Sequence, residues 1–327
     1  MREITFLEAL REALREEMRR DKNVFIMGED VQRGYADGVF GVTKGLIDEF
    51  GEERVRNTPI SEIAIIGSAA GAAITGMRPV AEIMYSDFMC CCMEPIINVV
   101  AKLRYVHGGG EVKLPLVIRT ATGAGIRSSV CHSQSLEAFF MHIPGLKIVV
   151  PSTPYDAKGL LKASIRDDNP VLFFEHKLLY KLKGSVPEEE YLIPLGKADI
   201  KREGKDLSLI TYGLMVHRAI EAIKELEEEG ISVELIDLRT LSPLDKEAII
   251  ESVKKTGKAV IVHEAWKKCG FGAEIAAIIV EEAFDYLDAP IKRVGAFDAP
   301  TPYSPVLEDA AIPSKDDIKR AIREIVL

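Results

Sequence analysis

The chain of 327 residues contains no apolar run long enough to span a bilayer and no block or stripe of Lys and Arg. The first absence excludes a transmembrane segment. The second, with a net charge of −9, argues against nucleic acid as a partner. The opening stretch, MREITFLEALREALREEMRR, is amphipathic and carries both charge signs, so it does not read as a signal peptide, and the expected compartment is the cytoplasm. Aromatic residues make up only 7% of the chain, against 47% hydrophobic and 28% charged. That balance is a soluble globular protein's, and abundant Ala, Ile, Leu, Val and Gly suits closely packed α/β layers. Five cysteines, an odd number without paired spacing, exclude a disulfide framework. The triplet Cys90, Cys91 and Cys92 lacks the C-x-x-C spacing that lets two thiolates share a zinc, so these residues are expected to pack as small buried apolar groups. Glycine-rich phosphate signatures are missing as well: GAG and GSAAGAAITG complete neither G-x-G-x-x-G nor a P-loop. Spacing reveals no divalent-metal set and no Ser-His-Asp or Cys-His arrangement.

What is present is a regular alternation. The length allows about two domains. ITFLEALREALREEM has its apolar residues at helical spacing, and Thr5 with Glu8 fits a capping box. VFIMG reads as a strand, and Glu29 to Arg56 as loop with a short helix. PVAEIM, PLVIRT, KIVVP and VLFFEH read as strands between the helices EPIINVVAKLRYV, SLEAFFMHI and YDAKGLLKASIRDD. Short apolar strands alternating with helices predict a parallel sheet covered on both faces. Lys181 to Ile200 is charged, holds two prolines and has no period, which marks a linker. A second strand–helix series follows it, from LSLITYG to KAVIVHE.

Within NTPISEIAIIGSAAGAAITG, Glu62 is the one carboxylate at the head of a run of small and apolar residues. Ser61 is placed to cap a helix there, and an acid in the first turn is favoured by the helix dipole whether or not it has a further role. The run behind it is apolar on every face and is expected to be buried, which would put Glu62 near a core or an interface. Gly67, Gly71 and Gly76 would cost helix stability unless something packs close to the backbone. His132 sits on a loop among small polar residues, a good place for proton transfer, though polar loops also carry idle histidines. His142 ends an apolar run before Pro144, where a helix C-terminus favours it without further function.

GEDV (Gly28 to Val31), NTPISE with its Gly/Ala helix, RPVAEIMYSDF, the long stretch from HSQSLEAFF to FFEHKLLY, and DLRTLSPLD resemble one family. It is the β chain of the thiamine-diphosphate-dependent first component of 2-oxo acid dehydrogenase complexes. The tail, FDYLDAPIKRVGAFDAPTPYSPVLEDAAIPS, is similar to acetoin and branched-chain versions as well as pyruvate ones. The resemblance implies an α/β fold of two domains. Residues 1–185 would form a pyrimidine-binding, transketolase-like parallel-sheet domain, 186–200 a linker, and 201–327 a transketolase C-terminal-type domain.

It further implies that Glu62 bonds a pyrimidine nitrogen of thiamine diphosphate and so promotes loss of the thiazolium proton. Ile60 would line the ring pocket, and Phe88 would pack on the ring. His132 would face the active site and assist acyl transfer to a lipoyl group. Asp167 and Asn169 match a structural potassium site in some relatives, although RDDNP also reads as a plain polar turn after a helix. The cofactor's metal motif, Gly-Asp-Gly with a later Asn, is missing; ADG at Ala36 to Gly38 has no suitable Asn downstream. Magnesium is therefore expected mainly on a separate α chain, in a heterotetramer of two α and two β chains that serves a lipoyl-bearing acyltransferase core. The substrate would be a 2-oxo acid such as pyruvate, or acetoin, and FFEHKLLY with the tail leans toward acetoin or pyruvate. Glu94-Pro95, where many relatives have an acid-Gln pair, and the Cys triplet depart from the pattern beside Phe88. The alternatives are half of a split transketolase and a non-catalytic scaffold subunit.

Overall fold

The computed structural model describes residues 1–32 and 38–326. Ala36 and Asp37 of the ADG tripeptide lie outside the described residues. The chain divides into two units, Met1–Thr122 with Phe139–Leu195, and Gly123–Ala138 with Gly196–Leu327.

The first unit opens with strand β1 (Arg2–Thr5) and helix α1 (Phe6–Arg20). The Thr5 side chain accepts from the Glu8 amide, and the Glu8 side chain accepts from the Thr5 amide, the expected capping box. Phe6, Leu10, Leu14 and Met18 bury the inner face of α1 against α6 (Pro154–Arg166). Buried Glu17 takes Arg166 in a forked pair at 2.7–3.1 Å, which neutralises a charge that burial would otherwise make costly. Six strands of this unit form one parallel sheet, in the order β6 (Lys147–Val149), β7 (Val171–His176), β5 (Val117–Thr122), β4 (Arg78–Ile83), β2 (Val24–Gly28) and β3 (Val55–Asn57). Their near-continuous apolar sequences follow from burial on both faces.

Part of the stretch read as linker is strand: β8 (Lys183–Val186) pairs antiparallel with β1, matching Arg2 to Val186. The helix expected from Glu94 onward begins with a wide π turn over Pro95–Val100 before α4 (Ala101–Val106). α2 (Leu46–Phe50), α3 (Glu62–Ile74) and α5 (Glu137–Met141) complete the helices that precede α6. Gly145 turns the chain with φ +100°; a Cβ there would lie 2.0 Å from the Ala101 carbonyl oxygen, so only glycine fits.

In the second unit a five-stranded sheet runs β14 (Lys292–Ala296), β13 (Ala259–Trp266), β10 (Leu207–Thr211), β11 (Val233–Asp237), β9 (Asp199–Arg202), parallel except for β9. A short strand, β12 (Thr240–Ser242), follows β11 in sequence. α7 (Leu214–Glu228) and α11 (Lys315–Val326) pack Ala219, Ile223, Ile318 and Ile322 onto one face, while α8 (Lys246–Thr256) and α9 (Gly272–Ala283) pack together. α10 (Pro305–Ala311) precedes α11. No helix among the described residues is long and apolar enough to cross a membrane.

Candidate active site

Parallel α/β sheets present their chemistry in the loops beyond the carboxyl ends of the strands. In the first unit those loops carry the candidate residues. β2 ends at Gly28 and leads to Glu29, β3 leads through Ile60 to Glu62, and β4 leads to Phe88. The loops are tied together: the Thr58 amide donates to the Gly28 carbonyl at 2.9 Å, and the Val31 amide donates to Asn57 Oδ1 at 3.1 Å.

Glu62 is the first residue of α3 and is half-buried. Ser61 stands at the cap position, but its side chain makes no cap hydrogen bond, so the local reason for an acid here is the helix dipole. Among the described residues nothing donates a hydrogen bond to its carboxylate. Its charge is felt nearby. The Glu29 carboxyl is raised above its usual range by burial first, then by Asp30 and Glu62. The buried Cys92 thiol is pushed up to about 12 by burial first and then by Glu62. Glu29 in turn adds to the upward shift that burial imposes on Tyr85. Sequence reasoning missed Glu29 as a site residue; the signal was an acid directly after a strand-ending glycine in GED.

Phe88 lies in a short 3₁₀ segment, Ser86–Cys92, which packs on α3, and it is half-buried. Ile60 is 74% exposed, so within this chain it lines an open surface. α3 itself departs from expectation. Ile65, Ile66, Ala69, Ala70 and Ala73 are buried, but Ile63, Ala64, Gly67, Ser68, Gly71 and Ile74 form an exposed face. A Cβ built at Gly67 or Gly71 meets nothing within 4 Å, so nothing among the described residues requires those glycines. The cysteines also differ from expectation, since only Cys92 is buried and Cys90, Cys91, Cys131 and Cys269 are exposed free thiols.

His132 belongs to the second unit, in the loop 123–138 that follows β5. It is half-buried, with Nδ1 3.2 Å from Cys131 Sγ. His142 is exposed after α5. As side-chain ligands, Asp167 and Asn169 do not fit a potassium ion. Asp167 Oδ2 pairs with the Lys147 ammonium at 2.5 Å, and Oδ1 accepts from the Asn169 amide and Nδ2, both at 2.8 Å. The Asn169 Oδ1 is taken by Arg104. Arg78 claims the main-chain oxygens of Ile165 and Asp167. No group of three or more His, Cys, Asp or Glu among the described residues could hold a metal ion.

Comparison with known proteins places this geometry. Residues 2–183 match the family "Transketolase, pyrimidine binding domain", and residues 196–318 match "Transketolase, C-terminal domain". The chain is 50% identical to the β subunit of acetoin:2,6-dichlorophenolindophenol oxidoreductase of Bacillus subtilis (strain 168), covering 99% of this chain and 98% of that one. It is 51% identical to the 2-oxoisovalerate dehydrogenase β subunit of the same organism, covering 98% of each. It is 48% identical to the pyruvate dehydrogenase E1 component β subunit of Gracilaria tenuistipitata var. liui, covering all of both. Among solved structures, a split-gene transketolase described as an inactive β4 tetramer superposes with a TM-score of 0.81 at 23% identity, over 99% of this chain and 98% of that one, a likeness of fold. With half of its residues shared along its whole length, the chain belongs to the family of transketolase-like β subunits of acetoin, 2-oxoisovalerate and pyruvate dehydrogenases.

Proposed function

We propose that this chain works with a separate α chain to decarboxylate a 2-oxo acid oxidatively, or to cleave acetoin, and passes the acyl group to a lipoyl-bearing acyltransferase core. The observation that carries the reading is Glu62: a half-buried acid at the carboxyl edge of the sheet, heading α3, with no donor among the described residues. A carboxylate so placed suits a protonated ring nitrogen, and with Phe88 as an aromatic neighbour the residues fit the pyrimidine half of thiamine diphosphate. When bound, that cofactor supplies an electron sink as carbon dioxide leaves.

Glu62 would hold and share a proton at the pyrimidine nitrogen. Glu29 beside it keeps its own proton to higher pH, which limits the charge gathered at this edge. Ile60 and Phe88 would exclude water around the ring. His132 would deliver the proton that the released sulfur of the lipoyl group needs. The diphosphate and magnesium belong to the α chain in this reading. The exposed face of α3 supports a heterotetramer, because glycines with no neighbour among the described residues allow another subunit's backbone to approach closely. Five free thiols suit a reducing compartment, the cytoplasm.

The test is dye-coupled oxidation by the chain copurified with its α partner, thiamine diphosphate and magnesium, on pyruvate, branched-chain 2-oxo acids and acetoin. Turnover that needs both chains and the cofactor supports the reading, and the fastest substrate names the complex. An intact, cofactor-loaded complex that turns over none of them overturns it in favour of a split transketolase.

A further inference from the structure

The loop that carries His132 is not held by its own sequence. Gly123 and Gly125 have φ near +90° and +100°, and Arg127 and Ser129 adopt φ of 61° and 71°, a left-handed conformation that residues with side chains resist. Such a loop keeps one shape only if its surroundings impose it.

Two acids of the second unit supply that constraint. Glu264, on β13, accepts from the Ala124 amide at 2.7 Å and from Ser135 Oγ at 3.2 Å, gripping the loop on both sides of His132. Glu308, on α10, accepts from the Gly125 amide at 2.7 Å and from Arg127 at 2.7 Å, while Arg127 also reaches Asp309 at 2.9 Å. The Tyr212 hydroxyl fixes Glu137 at 2.7 Å just beyond. Glu264 and Glu308 are themselves 7% and 0% exposed. Burying two carboxylates costs free energy that only well-placed donors offset, and the donors here are amides and side chains of this loop.

We propose that Glu264 and Glu308 are positioning residues that set the His132 loop for acyl transfer to the lipoyl group. They need not touch substrate or cofactor; they act through the loop. The inference rests on the role of His132 given above.

The experiment uses the complex with the α partner and its fastest substrate, and compares two rates. Dye reduction needs no lipoyl group; reductive acylation of a lipoyl domain does. Wild-type turnover in both assays checks the underlying function before any variant is made. Glu264→Leu and Arg127→Met are expected to lower acylation relative to dye reduction by about tenfold to a hundredfold, the cost of misplacing a reacting group by around an ångström. Hydrogen exchange across 123–138 should quicken in parallel. Glu264→Gln keeps an oxygen for the Ala124 amide and should bring the ratio back to within about threefold of wild type. A ratio that stays within about threefold of wild type in the leucine and methionine variants, whether both rates hold or both fall together, overturns the proposal. Should Glu264→Leu fail to assemble, Arg127→Met, at the edge of the loop, decides alone.

Discussion

The Cys92 thiol is pushed up to about 12 by burial first and then by the Glu62 carboxylate, which itself takes no hydrogen bond from any described residue. A charged group that influences a buried neighbour while its own acceptor positions stay open is placed to receive a ligand. In Glu62→Gln the shape survives and the charge is lost. Turnover in the α-partner complex is expected to fall about a hundredfold to ten-thousandfold, the range for removing a general acid–base group. The same complex should still form on a sizing column. Unchanged turnover would leave Glu62 with only its place at the helix dipole.

Cys92 offers a second check. A raised thiol holds its proton until the pH approaches that raised value, and only the thiolate is a nucleophile. At pH 8 a brief treatment of the native chain with iodoacetamide should label the exposed Cys131 and Cys269 and spare Cys92. Peptide mass spectrometry reads the pattern, and equal labelling of Cys92 and Cys131 would refute its placement.

Gly67 tests the outer face of α3. Among the described residues nothing lies within 4 Å of a Cβ built there and the residue is exposed, so Gly67→Leu has room for its Cβ and gains about 0.5–1 kcal/mol of helix propensity. Thermal unfolding of the chain alone should be unchanged or slightly raised. Assembly with the α partner should be lost, and a complex of normal size would show that this face is not the interface.

His263 predicts a pH dependence of stability. Its ring is buried, with Nδ1 donating to the Ala265 carbonyl at 3.0 Å, and a Cβ at Gly270, Gly272 or Gly295 would come within 2.9 Å of the ring. Burial first, then Arg293, lowers the imidazole from 6.5 to about 4. The unfolded chain therefore takes up a proton near pH 6.5 that the folded chain refuses until about pH 4. Stability from this group is complete above pH 6.5 and falls as pH drops toward 4, by about 3 kcal/mol in all. Urea unfolding at pH 7 and pH 4.5 should show a smaller difference in His263→Asn than in wild type. An equal difference in the two proteins would overturn the lowered imidazole.

Much of the fold was legible because it is local. Thr5 and Glu8 sit three apart and cap α1 as read, and the strands of the first sheet are apolar runs that only a doubly covered sheet explains. Glu62 at the head of a helix was legible for the same reason. What escaped reading depends on distant partners or on a difference of period. REIT and KGSV are too short to declare themselves, and become strands by pairing across the whole first unit. PIINVV was read as ordinary helix because apolar spacing barely separates a π turn from an α turn. The outer face of α3 was expected to be buried because composition reports that a surface must be covered, without saying by which chain. Glu29 went unnoticed as a site residue because its neighbour Glu62 is close only through the sheet.

The loop 123–138 is counted with a unit whose other residues begin at Gly196. On the ribosome it is made well before Glu264 and Glu308 exist to receive its amides, with residues 139–195 of the first unit still to come between them. Its bonds to Glu308 can close only after α10 has been made. A gene cut between Leu195 and Gly196 would separate these partners in time as well as in chain. A nascent chain stopped short of Glu308 would carry His132 in a loop with one of its two anchors missing.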